Sequence, residues 1–100
     1  MPHTVELVRF KIFDDAEPNF LAANAAINEW LRQQPGFISR QLARKTDGEW
    51  IDIVVWESEH AAKTAAANML PEMGDTDAMK AIDPSTVAID HAAVGLTFPS

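Results

Sequence analysis

The sequence has no cysteine and no tyrosine, and it carries 8 lysine and arginine residues against 15 aspartate and glutamate residues. A chain without cysteine has no disulfide framework, no thiolate metal site and no cysteine nucleophile. Such a composition suits the cytoplasm, and we expect a cytoplasmic protein. The net charge is −7. Nucleic acid is not an expected partner, because its binding requires a larger basic patch than the cluster of Arg40, Arg44 and Lys45.

Long apolar runs are also missing. No stretch approaches the ~18 residues that a membrane-spanning helix needs, and no basic region followed by an apolar segment indicates a signal peptide at the N-terminus. No two histidines have metal-ligand spacing, so we expect neither a metal nor another cofactor. The 47% of hydrophobic and 23% of charged residues are typical of a globular protein. The length predicts one domain over residues 1–100.

The stretch over residues 48–58, Gly-Glu-Trp-Ile-Asp-Ile-Val-Val-Trp-Glu-Ser, organises the predicted fold. Successive side chains of a strand point to opposite faces of the sheet. One face therefore carries Trp50, Asp52, Val54 and Trp56, and the other carries Ile51, Ile53 and Val55. Because both faces are apolar, the sequence predicts a strand that is covered on both sides.

The remaining elements follow from periodicity, caps and turns. Strands are predicted over residues 4–13, 37–45, 48–58 and 86–94, and helices over 19–34 and 59–70, with a short third helix from 75 or 76 to 82. Asp14 and Glu17 have the spacing of a capping box for the first helix. Pro71 is predicted to end the second helix. Asp47 and Gly48 predict a hairpin turn between the second and third strands.

This order predicts an α+β fold, a ferredoxin-like βαββαβ sandwich with a four-stranded antiparallel sheet and helices on one face. The other face of the sheet would expose a large apolar patch in a monomer. A second copy of the chain would bury that patch, so we expect a homodimer in which two sheets pair as a dimeric α+β barrel.

Four segments resemble a known superfamily. They are Val-Glu-Leu-Val-Arg-Phe-Lys at 5–11, Gln-Pro-Gly-Phe-Ile-Ser-Arg at 34–40, Asp-Gly-Glu-Trp-Ile-Asp at 47–52 and Val-Trp-Glu-Ser at 55–58. They are similar to the dimeric α/β-barrel superfamily, and most similar to its antibiotic-biosynthesis-monooxygenase type. The resemblance implies a ferredoxin-like protomer, a homodimer and a pocket between the helices and the sheet. Activities in this superfamily include cofactor-independent oxygenation of aromatic polyketides, haem degradation, decarboxylation and isomerisation.

Two features of the sequence depart from these relatives. Asp52 stands where the oxygenase branch has an asparagine, and an ionised aspartate only accepts hydrogen bonds. The haem-degrading branch has an asparagine on the first strand and a histidine after the second helix, and this chain has neither. The resemblance therefore favours oxygenation over haem degradation.

Asp52 and His91 are the candidate catalytic residues. Asp52 is an acid in an apolar strand, so it either pairs with Arg40 on the neighbouring strand or acts as a general base. His91, on the last strand, is either a hydrogen-bonded sheet residue or the acid and base of a pocket.

Trp56, Arg40, Met69 and Met73 are the candidate ligand-binding residues. Trp56 either fills the core or stacks on an aromatic ligand, and Arg40 holds either a carboxylate of the protein or an anionic group of a ligand. Met69 and Met73 either pack loosely in the core or form a flexible lid. We therefore expect a cofactor-independent oxygenase-like enzyme acting on a small aromatic or polyketide-like molecule. The alternative is a non-catalytic homodimer that binds a small apolar ligand or serves as a structural accessory.

Overall fold

The computed structural model describes residues 2–99, and a four-stranded antiparallel sheet runs through this part of the chain. The strands are β1 (Thr4–Phe10), β2 (Phe37–Arg44), β3 (Trp50–Trp56) and β4 (Ala88–Ala93), in the spatial order β2-β3-β1-β4. The helices are α1 (Phe20–Arg32), α2 (Glu59–Met73) and α3 (Asp77–Ala81), and short 3-10 helices span Asp14–Asn19 and Pro84–Thr86. The predicted ferredoxin-like α+β fold is confirmed.

The predicted hairpin joins β2 to β3. Gly48 has a φ of +93°, a backbone conformation that glycine adopts without steric cost, and its N–H donates to the Lys45 carbonyl oxygen at 2.9 Å. The pairing that follows places Leu42 opposite Asp52 and Arg40 opposite Val54. Arg40 and Asp52 therefore lie on the same face of the sheet as diagonal neighbours, two residues apart in register.

The helices cover one face of the sheet, and two groups of buried side chains lie between them and the strands. One group surrounds Trp56 and includes Trp30, Ile27 and Leu31 from α1. The other group contains Phe10, Phe20, Trp50 and Ala81. Both tryptophans of β3 belong to this covered face, and they are 5% (Trp50) and 1% (Trp56) exposed. The apolar stripe predicted for α1 therefore forms much of the core.

The opposite face of the sheet is not covered by any element within residues 2–99. The β1 and β3 pairing places Val5 opposite Val55, Leu7 opposite Ile53 and Arg9 opposite Ile51 on this face. The valines, isoleucines and leucine of this face are only half-buried. The tryptophans are absent from this face, whose apolar residues are aliphatic and lie beside the polar Arg9, Gln41 and Asp90.

The predicted capping box before α1 is wrong. Residues Asp14–Asn19 form a 3-10 helix whose N-cap is Phe13, with no side-chain cap hydrogen bond. Pro18 lies inside this segment, and proline disfavours helical geometry at the residue before it. The regular helix therefore begins only at Phe20. Glu17 pairs instead with Arg44.

The predicted end of α2 at Pro71 is also wrong, because the helix continues to Met73. Proline removes one intrahelical hydrogen bond, to the carbonyl oxygen four residues earlier. That carbonyl belongs to Ala67, which is exposed, so water can replace the missing donor. The last turn is held by Gly74 N–H, which donates to the Leu70 carbonyl oxygen at 3.0 Å. Glu72 also accepts a hydrogen bond from α1.

None of the helices within residues 2–99 is long and apolar enough to cross a membrane.

Candidate functional site

A cavity of about 640 Å³ lies between the helices and the covered face of the sheet. Its volume is within the range of about 300–1,000 Å³ that small-molecule sites usually have. The sheet supplies the floor, with Glu6, Val8, Asp52, Val54, Trp56 and Ile89. The helices supply most of the walls, with Ile27, Trp30, Ala65, Met69, Leu70 and Met79.

The composition of α2 explains why this space is open. At the start of the helix, Ala62 is fully buried and packs in the group around Trp56. One turn later, Ala65 and Ala66 line the cavity. The methyl groups at these two positions occupy little volume, and the large side chains of α2 that reach the cavity, Met69 and Leu70, follow only one turn later. The small residues that the sequence placed on this helix therefore leave a cavity as well as allowing close packing.

Strand register brings the polar groups of the floor together. Glu6 on β1 lies opposite Val54 on β3, and Asp52 and Trp56 are two residues to either side of Val54. Side chains at i and i+2 share a face of the sheet. The carboxylates of Glu6 and Asp52 and the indole of Trp56 therefore reach the same cavity floor.

Arg40 and Asp52 form a bidentate ion pair beside this floor. The Arg40 Nε donates to Asp52 Oδ1 at 2.9 Å and Nη2 donates to Oδ2 at 2.8 Å. The side chains are 8% and 17% exposed. Arg40 also donates to the side-chain oxygens of Asn24 and Asn28, each at 2.8 Å. The predicted pairing of Asp52 with Arg40 is confirmed, and it occupies both oxygens of the carboxylate.

Glu6 has a different environment. Its Oε2 lies 2.9 Å from His91 Nε2, and the side chains are 11% (Glu6) and 20% (His91) exposed. Burial raises the pKa of the Glu6 carboxyl above its ordinary value, although the hydrogen bond and charge of His91 act in the opposite direction. The neighbouring Asp52 charge raises this pKa further, and the indole of Trp56 lowers it slightly. Glu6 is therefore a buried acid that takes up a proton more readily than a solvent-exposed glutamate.

The indole N–H of Trp56 is a buried hydrogen-bond donor. Its Nε1 is buried and makes no hydrogen bond within residues 2–99, although the ring is close enough to Glu6 to affect its pKa. The Nε1 of Trp50 is also buried and without a partner, but Trp50 does not line the cavity. Leaving a buried donor unsatisfied costs roughly 1–3 kcal/mol.

The two predicted methionines lie in different places. Met69 lines the cavity, whereas Met73 packs against the core beyond it. Next to Met73, Trp30 Nε1 donates to Glu72 Oε1 at 3.0 Å and ties the end of α2 to α1. Lys80 on α3 adds an exposed cation to the lining.

The structure thus brings Asp52, Trp56 and Met69 to one cavity. Arg40 and His91 do not line this cavity, but Arg40 pairs with Asp52 and His91 contacts Glu6. Sequence reasoning missed Glu6 as a site residue. Its signal was an acid on the face of β1 that also carries Val8 and Phe10. Asn24 and Asn28 were missed as partners of Arg40 as well, because only the docking of α1 on the sheet brings them to it.

No three histidine, aspartate or glutamate side chains of the described part of the chain come together as a metal site. The side chains at the cavity floor are suited to proton transfer and hydrogen bonding. Asp52 accepts, Trp56 donates, and Glu6 is able to exchange a proton with a bound molecule.

The profile of the antibiotic biosynthesis monooxygenase family matches residues 4–76, which is well over half of the chain. The chain belongs to the antibiotic biosynthesis monooxygenase family. The match covers β1 to the start of α3 and includes Glu6, Arg40, Asp52, Trp56 and Met69. His91 on β4 lies outside it. No curated protein matches the chain significantly.

Solved structures of antibiotic biosynthesis monooxygenase type share this fold. SnoaB from Streptomyces nogalater, described as a cofactor-independent oxygenase, is 24% identical, with a TM-score of 0.76 and 100% of both chains covered. The monooxygenase from the gene ActVA-Orf6 of Streptomyces coelicolor, solved with the ligand nanaomycin D, is 23% identical, with a TM-score of 0.71 and 99% of this chain and 94% of that chain covered. MhuD from Mycobacterium tuberculosis, described as a heme degrader, is 20% identical, with a TM-score of 0.73 and 94% of this chain and 97% of that chain covered. At these identities the likeness shows the fold alone.

Proposed function

We propose that this protein is a cofactor-independent oxygenase that acts on a small aromatic or polyketide-like molecule bound in the cavity. One observation carries the proposal: an apolar cavity of small-molecule size has the ring of Trp56 and the carboxylates of Glu6 and Asp52 at its floor. An aromatic ligand would fill the apolar space and place its polar groups against this floor. Membership of the family and the likeness to SnoaB support the reaction class.

The reaction that suits such a site is oxidation of an acidic ring methylene or hydroquinone by dioxygen. For a tricyclic ketone with a ring methylene, the two C–H bonds break, one oxygen atom becomes a carbonyl oxygen and the other leaves as water. Dioxygen takes up all four electrons, so no further oxidant is required. The protein would bind the ring, orient its oxygens and remove a proton, while the electron-rich ligand reduces dioxygen.

In this proposal the ring of Trp56 packs against the ligand and the Arg40–Asp52 pair fixes a polar group of the ligand. Both oxygens of Asp52 already accept hydrogen bonds from Arg40, but each has a further lone pair for a ligand hydroxyl. The predicted role of Asp52 as a general base is therefore replaced by one in positioning. Met69 contributes an adaptable wall next to the ligand.

Oxygen consumption with dithranol, a dihydroxylated anthrone, tests the function. We expect the wild-type protein to accelerate oxygen uptake and formation of the anthraquinone over buffer. The W56F variant replaces the indole by a smaller ring, so we expect ligand affinity to fall about 2- to 13-fold, which corresponds to an aromatic contact of about 0.5–1.5 kcal/mol. W50F is the matched control, because its indole N–H is also unpaired but lies outside the cavity.

Oxygen uptake no faster than in buffer would contradict the enzymatic function. Equal effects of W56F and W50F would contradict the assignment of the cavity as the binding site.

A second candidate is a non-catalytic protein that binds the same class of ligand. The pairing of both floor carboxylates, Asp52 with Arg40 and Glu6 with His91, favours it. Binding of dithranol under anaerobic conditions together with an unchanged rate of oxygen uptake would identify this candidate.

We also propose that the working form is a homodimer paired through the uncovered face of the sheet. The half-buried Val5, Leu7, Ile51, Ile53 and Val55 on this face support the proposal. A second sheet packed against them would bury roughly 1,200–2,000 Å² in total, the size of a stable interface. The cavity lies on the other side of the sheet, so pairing would leave it open to ligand.

A further inference from the structure

Two carboxylates share the cavity floor, and their partners differ in kind. Asp52 is held by a permanent cation through two hydrogen bonds, because the arginine guanidinium stays protonated in proteins. Glu6 is held by one contact from a histidine ring. Its second oxygen, Oε1, forms no hydrogen bond within residues 2–99 and belongs to a side chain that lines the cavity.

We propose that Glu6, positioned by His91, accepts the proton that the aromatic ligand of the proposed function loses from a C–H or O–H group. In the step, the C–H or O–H bond of the ligand breaks and a bond forms between the proton and Glu6 Oε1. The electron pair stays on the ligand, which becomes an enolate or phenolate. This inference rests on the proposed function but concerns a step that needs no dioxygen.

The surroundings of Glu6 suit this role. The charged or titratable groups around it are His91 from β4, Asp52 from β3 and, in the cavity lining, Lys80 from α3. Burial raises the pKa of Glu6, and a base with a raised pKa holds the abstracted proton more strongly. The ring of Trp56 lines the cavity beside the same carboxyl, so a ligand that packs against this ring has its acidic group near Glu6.

His91 acts through Glu6 and is a positioning residue. Its Nε2 contact fixes one carboxylate oxygen, Oε2, and the other makes no hydrogen bond within residues 2–99. The ring is 20% exposed, so water has access to it while Glu6 stays more buried. The amide of the H91N variant can donate a similar hydrogen bond to Glu6 but carries no charge.

Deuterium washout under anaerobic conditions tests the assignment directly. The probe is dithranol deuterated at its ring methylene, and loss of the label is followed by mass spectrometry. We expect the wild-type protein to accelerate washout over buffer, and the E6Q variant to lose about 10²-fold or more of that acceleration, the usual contribution of a general base. E29Q is the matched control, because it makes the same glutamate-to-glutamine change at an exposed position of α1 outside the cavity, and we expect it to retain the full acceleration.

The pH profile separates catalysis from a structural role. Wild-type washout is expected to rise with pH through the titration of Glu6, and E6Q is expected to lose this rise. H91N is expected to shift the midpoint of the profile and to restore more washout than H91A. If E6Q does not fold, as judged by its thermal transition, E6D replaces it and is expected to retain a pH-dependent but slower washout.

Washout in E6Q at the wild-type rate, an equal loss in E6Q and E29Q, or wild-type washout no faster than buffer would each overturn the inference. Washout without any oxygen uptake would retain Glu6 as the base and reject the oxygenase function. Oxygen uptake that survives in E6Q would reject Glu6 and retain the oxygenase function.

Discussion

The variant R40M removes the guanidinium that holds Asp52 and leaves an apolar side chain of similar length. Arg40 makes four side-chain hydrogen bonds, two to Asp52 and one each to Asn24 and Asn28. Its side chain is 8% exposed and that of Asp52 is 17% exposed. After the substitution a carboxylate remains against the apolar walls of the cavity with no cation beside it.

The cost follows from this burial. Removing one partner of a buried ion pair typically destabilises a protein by about 3–5 kcal/mol, since the remaining charge stays desolvated. A domain of this size loses about 4–8 °C of melting temperature per kcal/mol, so R40M is expected to melt at least about 12 °C lower than wild type. The double variant R40M/D52L removes both charges, and we expect it to recover most of the loss, because apolar replacements of buried pairs are often neutral.

Thermal and urea unfolding of R40M, R40M/D52L and a surface control measure these differences. The control is R32M, because Arg32 forms an ion pair with Glu29 at 3.7 Å with side chains 75% and 64% exposed. Exposed pairs contribute about 1 kcal/mol or less. A loss in R40M no larger than that in R32M would refute the assigned role of the pair. A double variant as unstable as R40M would also refute it.

Three further outcomes are expected. The I53E variant places a charge in the middle of the uncovered sheet face, so it should sediment as a monomer at micromolar concentration. The control L21E changes an exposed position of α1 and should sediment as a dimer. A wild-type monomer or a dimeric I53E would contradict the proposed interface. The S58A variant removes the N-cap of α2, in which Ser58 Oγ accepts from Ala61 N–H at 3.1 Å, and should cost about 0.5–2 kcal/mol in a urea unfolding experiment; an unchanged midpoint would show that the cap contributes nothing. The pKa of Glu6 is raised in the folded protein, so the folded state binds this proton more tightly than the unfolded chain. The free energy of unfolding of the wild type should therefore fall as the pH rises from the ordinary glutamate range through the raised pKa. E6Q should lack this part of the fall, and identical pH dependences of the two proteins would contradict the shift.

Most of the fold was predictable because local signals agreed with one another. Asp47 and Gly48 fixed the hairpin, and the apolar stripe of α1 identified the helix face that packs on the sheet. The predicted helix ends were wrong where a contact with another part of the chain outweighed a local sequence preference. Pro71 did not end α2, because the lost hydrogen bond falls on an exposed carbonyl and the Trp30–Glu72 contact holds the last turn.

The candidate site was predictable only in part. Asp52 and Trp56 were identifiable as unusual residues of a buried strand, and the pairing of Asp52 with Arg40 followed from their positions on neighbouring strands. Glu6 was not identified, because an acid near the start of a strand has the same appearance in sequence whether it faces water or a cavity. The roles of Asp52 and His91 in chemistry stay predictions, as does the cytoplasmic location.

The sequence by itself determined the order of the elements, the hairpin register and the two apolar faces of β3, because each depends on residues that are neighbours in the chain or in one turn. Only the tertiary structure decided where the cavity lies and which carboxylate is free to accept a proton. Those outcomes depend on how far α2 stands from the sheet and on contacts between residues as distant as Glu6 and His91. The spacing of residues along the chain does not determine such distances, because they are set by the packing of the helices on the sheet.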